Sequence, residues 1–212
     1  MKKHRISKIR KAVIRLVVSR LDYERLYGTL RDTCITFPPM NVLEEHMVAN
    51  TDIHEHLNTI YMLIRMNNLK DILELGTRGG ESTIALLLAA KDIGGHVTSV
   101  DIDECKDAKN MVSKYNLGNY WTFLQGDDLS IEYHEKIGLL FIDTSHTYEH
   151  TLNELQKYEP YVIKQGIIAM HDTVSCPDVL RAIEMYVSGR NDLILFNYLN
   201  CNGLGVIYKK DL

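Results

Sequence analysis

Four polar side chains follow directly on short apolar runs, where a fold can bring them to one edge. Asp143 ends Phe141-Ile142-Asp143, His146 lies three residues on, and His171-Asp172 ends Ala169-Met170-His171-Asp172. Two carboxylates and a histidine at one mouth suit a divalent cation, with waters and a substrate oxygen completing its shell. The metal set read this way is Asp143, His171 and Asp172, with Mg2+ or another divalent ion as the candidate. Such a cation lowers the pKa of a bound hydroxyl. His146 and Asp143 form the catalytic pair, with His146 as base, because an unperturbed imidazole titrates near working pH. Imidazole is a poor partner for Mg2+. Three arrangements therefore stay open at His171: the two aspartates with waters, a softer ion, or no metal. Asp143 and Asp172 also read as helix N-caps, His150 as a solvated face residue, and His54 and His56 as part of an N-terminal helix.

A second constellation is the loop Glu74-Leu75-Gly76-Thr77-Arg78-Gly79-Gly80-Glu81-Ser82. Gly76 and Gly80 let the backbone turn sharply and approach a ligand closely. Asp101, at the end of the next apolar run, can accept hydrogen bonds from both hydroxyls of a ribose. Together they predict a nucleoside-bearing cofactor. A dinucleotide fingerprint needs G-x-G-x-x-G to cradle a pyrophosphate, but this loop is E-x-G-x-x-x-G, with Arg78 in place of the second glycine. The spacing disfavours an NAD-binding oxidoreductase and favours S-adenosylmethionine, which has no phosphate.

The elements that position these groups begin near residue 70. Apolar runs Ile72–Leu75, Val97–Val100, Tyr120–Leu124, Leu139–Ile142, Ile167–Met170, Leu193–Phe196 and Gly205–Tyr208 alternate with helical segments 81–92, 104–115, 148–163 and 177–189. Such alternation predicts an α/β fold, a Rossmann-like, doubly wound, mostly parallel seven-stranded sheet with helices on both faces. The last two strands are close enough for an antiparallel hairpin. In this fold ligands bind beyond the carboxyl ends of the strands, where strand order reverses.

Residues 1–50 read as an N-terminal helical extension, with Phe37-Pro38-Pro39 breaking its helices, and 51–212 as the cofactor-binding domain. The chain has 212 residues and a formal net charge of −4, yet residues 1–20 hold eight of its 24 Lys/Arg and none of its 28 Asp/Glu. With Ile6, Ile9, Val13, Leu16 and Val17 at helical spacing, this leader predicts a basic amphipathic helix. It would pack on the body or on a second subunit as a homo-oligomer, lie on a membrane surface, or serve as a transit peptide. An acidic body speaks against nucleic acid as a partner. The four cysteines lack C-x-x-C spacing and read as reduced thiols of a cytoplasmic protein.

Over roughly residues 52–210 the chain resembles the class I S-adenosylmethionine-dependent methyltransferases. It is most similar to small-molecule O-methyltransferases grouped with the macrocin-type sugar O-methyltransferases and cephalosporin-hydroxylase-like proteins. The likeness rests on Ile72–Thr83, Ser99-Val100-Asp101-Ile102-Asp103, Gln125-Gly126-Asp127-Asp128, Phe141–Tyr148 and Met170-His171-Asp172-Thr173. The resemblance implies that Glu74, Gly76 and Ser82 line the methionine end, Asp101 binds the ribose, and Asp127 or Asp128 meets the adenine amino group. Thr77, Arg78, Gly80, Ile102 and Asp143 complete the implied cofactor set. It also implies that the Asp143 and Asp172 positions bind magnesium, that His146 is the base, and that the acceptor is a hydroxyl of a small molecule such as a sugar. His171 departs from the pattern, standing where the magnesium-dependent relatives carry an acid. Base methyltransferases carry Asp/Asn-Pro-Pro-aromatic where this chain has Asp143-Thr144-Ser145-His146, which argues against a nucleobase acceptor. A non-catalytic interaction module recruited through residues 1–20 is the alternative from another class.

Overall fold

The computed structural model describes residues 41–49 and 51–211; the basic helix expected over 1–20 lies outside them. The compact unit begins at Val42, with helix α1 (Val42–Met47) followed by α2 (Leu57–Asn67). Then come β1 (Asp71–Leu75), α3 (Glu81–Ile93), β2 (His96–Asp101), α4 (Lys106–Lys114), β3 (Trp121–Gln125) and β4 (Ile137–Ile142). The chain continues through α5 (Tyr148–Tyr158), β5 (Val162–His171), α6 (Pro177–Val187), β6 (Leu193–Tyr198) and β7 (Leu204–Lys209). The sheet order is β3-β2-β1-β4-β5-β7-β6. β1 to β5 are parallel, while β7 runs antiparallel between β5 and β6, so the expected terminal hairpin is present.

Strand pleating explains the two-sided core. On β1, Ile72 faces one apolar layer with Ile60, Ile84, Leu87 and Phe141, while Leu73 and Leu75 face the other with Leu140, Leu155 and Ile183. Phe141 is fully buried, and burial of one such side chain contributes about 1.5–3 kcal/mol. Glu74 shares the pleat phase of Ile72 and is carried inward with it. α3 starts with Glu81 in its first turn and ends at Gly94 in the left-handed region, the usual arrangement of an acid at the N-terminus and glycine past the C-terminus. The helix expected over 148–163 stops at Tyr158, because Pro160 lies in a short 3-10 turn and β5 already begins at Val162.

Strand order reverses between β1 and β4. Their C-terminal ends lie side by side, Leu75 opposite Ile142, and the Asp143 amide donates to the Leu75 carbonyl at 2.8 Å. The loops leaving β1, β2, β4 and β5 therefore share one rim.

Candidate active site

Gly76 adopts φ +86°, and a Cβ there would fall 2.0 Å from the Asp143 carbonyl oxygen. Only glycine lets the β1 loop press against the end of β4. Gly80, at φ +93°, similarly admits Ala108 of α4. Between them, the amides of Thr77 and Arg78 donate to Asp101 Oδ2 at 2.7 and 3.0 Å, and the Asp103 amide donates to Oδ1 at 2.8 Å. Partial burial alone would raise the Asp101 pKa; the three amides hold it below the ordinary value instead.

Two clefts flank this loop. The first, of about 370 Å3, is walled by Gly76–Ser82, Asp143 and the segment Thr51-Asp52-Ile53. The second, of about 320 Å3, is bounded by Gly76, Arg78, Val100–Ile102, Gly126–Asp128, Asp143–Ser145 and His150. They meet at Gly76, Arg78 and Asp143. Thr77, Gly80 and Ser82 lie on the first cleft, Asp101, Ile102, Asp127 and Asp128 on the second. Ile102 is 70% exposed, an apolar surface beside the acid.

Glu74 corrects the expectation that it lines the cleft. It is fully buried beneath the loop, accepting hydrogen bonds from the hydroxyls of Ser82, Thr83 and Ser99. Burial lifts its pKa to about 7, against the pull of those three donors. Its place is to hold the start of α3, and with it Ser82, against the sheet. The two candidate acids also differ. Asp127 uses both oxygens within its own turn, on the Leu129 amide and the Ser130 hydroxyl, whereas Asp128 Oδ2 lies 3.1 Å from His150 Nε2. His150 is thus a cleft residue rather than a solvated one.

Asp143, His146, His171 and Asp172 converge as expected. His146 Nε2 lies 2.9 Å from Asp172 Oδ2 and 3.5 Å from Asp143 Oδ1; His171 Nδ1 lies 3.4 Å from Asp172 Oδ2 and 3.7 Å from Asp143 Oδ2. Neither aspartate is a helix N-cap: Thr147 caps α5 and Cys176 precedes α6. Asp172 instead sits at φ +61° and accepts from the Ser175 hydroxyl. Backbone strain of this kind at a polar rim is a mark of functional sites. Both aspartates titrate below the ordinary range, because the two histidines outweigh the burial that would raise them. His146 responds oppositely: its bonds to Asp143 and Asp172 push it to about 10. The reason given for choosing it as base, an unperturbed imidazole, therefore fails while both carboxylates are uncompensated.

Several groups at the site were not among the residues expected from the sequence. Asp52 pairs with Arg78 at 3.2 Å. Carbonyls of the β6–β7 loop accept from histidines, Asn200 O from His56 and Cys201 O from His171, at 2.8 and 3.2 Å. Glu154 is fully buried on α5, accepting from Thr144 at 2.5 Å, and burial raises its pKa to about 10. Its signal was a lone acid at a core phase of an amphipathic helix. A loop carbonyl offers no such signal.

Residues 73–173 match the family described as "Methyltransferase domain". No curated protein matches the chain. Among solved structures, the O-methyltransferase of Bacillus cereus in complex with SAH is 17% identical with a TM-score of 0.66, over 88% of this chain and 97% of that one. The O-methyltransferase TomG of Streptomyces achromogenes, involved in tomaymycin synthesis and bound to SAM, is 15% identical with a TM-score of 0.62, over 90% and 99%. A Clostridium thermocellum protein described as an rRNA methylase is 14% identical with a TM-score of 0.59, over 76% and 99%. At these identities the likeness to solved structures is one of fold.

Proposed function

We propose, from the premise that this chain carries a class I S-adenosylmethionine-dependent methyltransferase domain, that it transfers the methyl group to a hydroxyl oxygen of a small molecule. The observation that carries this reading is the position of Asp143, which belongs to both clefts and to the acid–histidine cluster. A cofactor spanning the two clefts would bring its sulfonium past Asp143, beside the groups able to orient and deprotonate a hydroxyl.

In this reading Asp101 accepts from the ribose hydroxyls, Ile102 packs on the adenine, and Asp128 meets its amino group. Gly76, Thr77, Arg78, Gly80 and Ser82 contain the methionine end. The acceptor oxygen attacks the methyl carbon in line, the C–S bond breaks to leave S-adenosylhomocysteine, and the hydroxyl proton goes to the imidazole of the neutral His146, at the ring nitrogen not held by Asp172 and Asp143. Holding the two reactants in that alignment lowers the barrier by prepaying the entropy of bringing them together.

The donor set supports a divalent cation beside Asp143 and Asp172. Two carboxylates with low pKa values share one gap, and the buried His171 Nδ1 facing them makes no hydrogen bond. Such an ion would lower the pKa of a coordinated hydroxyl and offset the charge that keeps His146 protonated. Turnover of hydroxyl acceptors with labelled cofactor tests the proposal: label must appear on the acceptor oxygen and disappear with Asp143→Ala. Label found on nitrogen or carbon of every productive acceptor contradicts it. The acidic body and the Asp143–His146 segment favour a small molecule over nucleic acid. Assembly through residues 1–20, as a homo-oligomer or on a membrane surface, belongs to the same proposal. Among the described residues no helix is long and apolar enough to cross a membrane.

A further inference from the structure

The side chain of His171 is 0% exposed, and its two nitrogens have different surroundings. Nε2 lies 3.2 Å from the Cys201 carbonyl oxygen. A carbonyl only accepts, so Nε2 carries hydrogen, and in the neutral ring the lone pair is on Nδ1. Nδ1 has no hydrogen-bond partner and looks onto carboxylate oxygens of Asp172 and Asp143 at 3.4 and 3.7 Å. A buried lone pair aimed at two carboxylates requires a positive charge between them. A proton on Nδ1 is one solution. The other is a metal ion, and the Cys201 bond is what metal-binding histidines show: the outer ring N–H donates to a backbone carbonyl, fixing tautomer and orientation.

We propose that Nδ1 of His171, with Asp143 and Asp172, forms a divalent-cation site whose nitrogen ligand tunes it to Zn2+, Co2+ or Fe2+ rather than Mg2+. Imidazole suits the borderline first-row ions, whereas Mg2+ keeps to oxygen donors. His146 is also close, with its ligand atom and those of Asp143 and Asp172 all within 4.8 Å of one another. It differs from His171 in being 35% exposed and already bonded to Asp172 at 2.9 Å. That leaves it the exposed member at the mouth, and His171 the buried ligand beneath. A second grouping, Asp128 with His150 and Glu154, is separate: Asp128 and His150 engage each other, and Glu154 Oε1 accepts from Thr144. It serves as the control. The ion's use, holding an acceptor oxygen, rests on the O-methyl transfer proposed above; its binding does not.

The test uses the full chain, stripped with chelator and titrated separately with Co2+, Zn2+ and Mg2+, with S-adenosylmethionine titrated in parallel. Most sites prefer Zn2+ to Mg2+ to some degree, so the readout is how the preference depends on His171. One Co2+ should bind per chain with visible bands of nitrogen ligation, and Zn2+ should displace it. His171→Asp should weaken Co2+ and Zn2+ by at least the roughly 10–100-fold that follows loss of even an outer partner of a ligand, while strengthening Mg2+. His146→Ala and His150→Ala should keep the Co2+ bands. In the unsubstituted protein, Zn2+ should shift the Nδ1 resonance of one histidine in two-bond 1H–15N spectra, a reading that needs no variant to fold. The inference is overturned if His171→Asp leaves the ion ratio unchanged, if His146→Ala abolishes the Co2+ bands, or if the folded, cofactor-binding protein takes up no ion. Ion binding without S-adenosylmethionine binding would uphold this site and sink the methyl-transfer reading.

Discussion

Replacing Gly76 with alanine tests the close approach on which both clefts depend. Two costs combine at this position: φ of +86°, and a Cβ placed 2.0 Å from the Asp143 carbonyl oxygen. A non-glycine residue held in the left-handed region costs about 1–2 kcal/mol. Overpacking against backbone adds about 1–3 kcal/mol. The sum is about 3 kcal/mol, or roughly 6–12 °C in thermal midpoint for a domain of this size. Two other glycines separate the terms. Gly94 has φ +66° with nothing near its would-be Cβ, and Gly79 has open space and no positive φ. Gly94→Ala should therefore cost about 1–2 kcal/mol, the backbone cost alone, and Gly79→Ala should stay within about 0.5 kcal/mol. Differential scanning fluorimetry of the three variants measures the series. Gly76→Ala should also weaken S-adenosylmethionine by far more than Gly94→Ala, since the clash separates the loop from Asp143. Equal effects from Gly76→Ala and Gly94→Ala would refute the close approach.

Three further outcomes are expected. Glu159 is bonded by Arg190, Lys209 and Tyr186, and these donors hold its pKa below the ordinary 4.5 against the burial that would raise it. The ionised group thus stabilises the fold above about pH 4.5, and the contribution is lost as pH falls through the lowered folded value; thermal midpoints of wild type and Glu159→Gln should differ at neutral pH and converge in acid. His146→Ala should reduce turnover by about 10²–10⁴-fold with cofactor affinity nearly unchanged by calorimetry, and normal turnover would remove it as the base. Ser82→Ala should weaken cofactor binding modestly and, by removing one of three donors to the buried Glu74, raise the pH at which that carboxyl ionises, as read by the acid–base dependence of stability.

Most of the sheet could be read from the sequence because its central strands are largely buried: β4 is an unbroken apolar run, β5 is apolar and buried over residues 166–170, and β1 and β2 keep Ile72, Leu73, Leu75, Val97 and Val100 in the core. The E-x-G-x-x-x-G loop and Asp101 were equally readable, since a glycine at φ +86° and an acid fixed by loop amides each demand one residue type. The side-chain directions were harder. Glu74 sits in a motif that suggests ligand contact, but the two-residue pleat carries it inward with Ile72. Asp172 could be read as an N-cap because aspartate is among the favoured N-cap residues, yet a left-handed backbone turns it toward His146. The charge state of His146 could not come from spacing at all, because it depends on two carboxylates delivered by different strands. His150 became a cleft residue only through Asp128, 22 residues before it.

The central claim is that the β1 loop and Asp101 hold S-adenosylmethionine. Calorimetric titration of the cofactor into the full chain, with NAD as control, tests it most directly. Saturable binding of S-adenosylmethionine alone is predicted, weakened at least about tenfold in Asp101→Ala through loss of charge-assisted hydrogen bonds to the ribose. Absence of binding by the folded protein, NAD binding in its place, or an Asp101→Ala variant that binds like wild type would contradict the account.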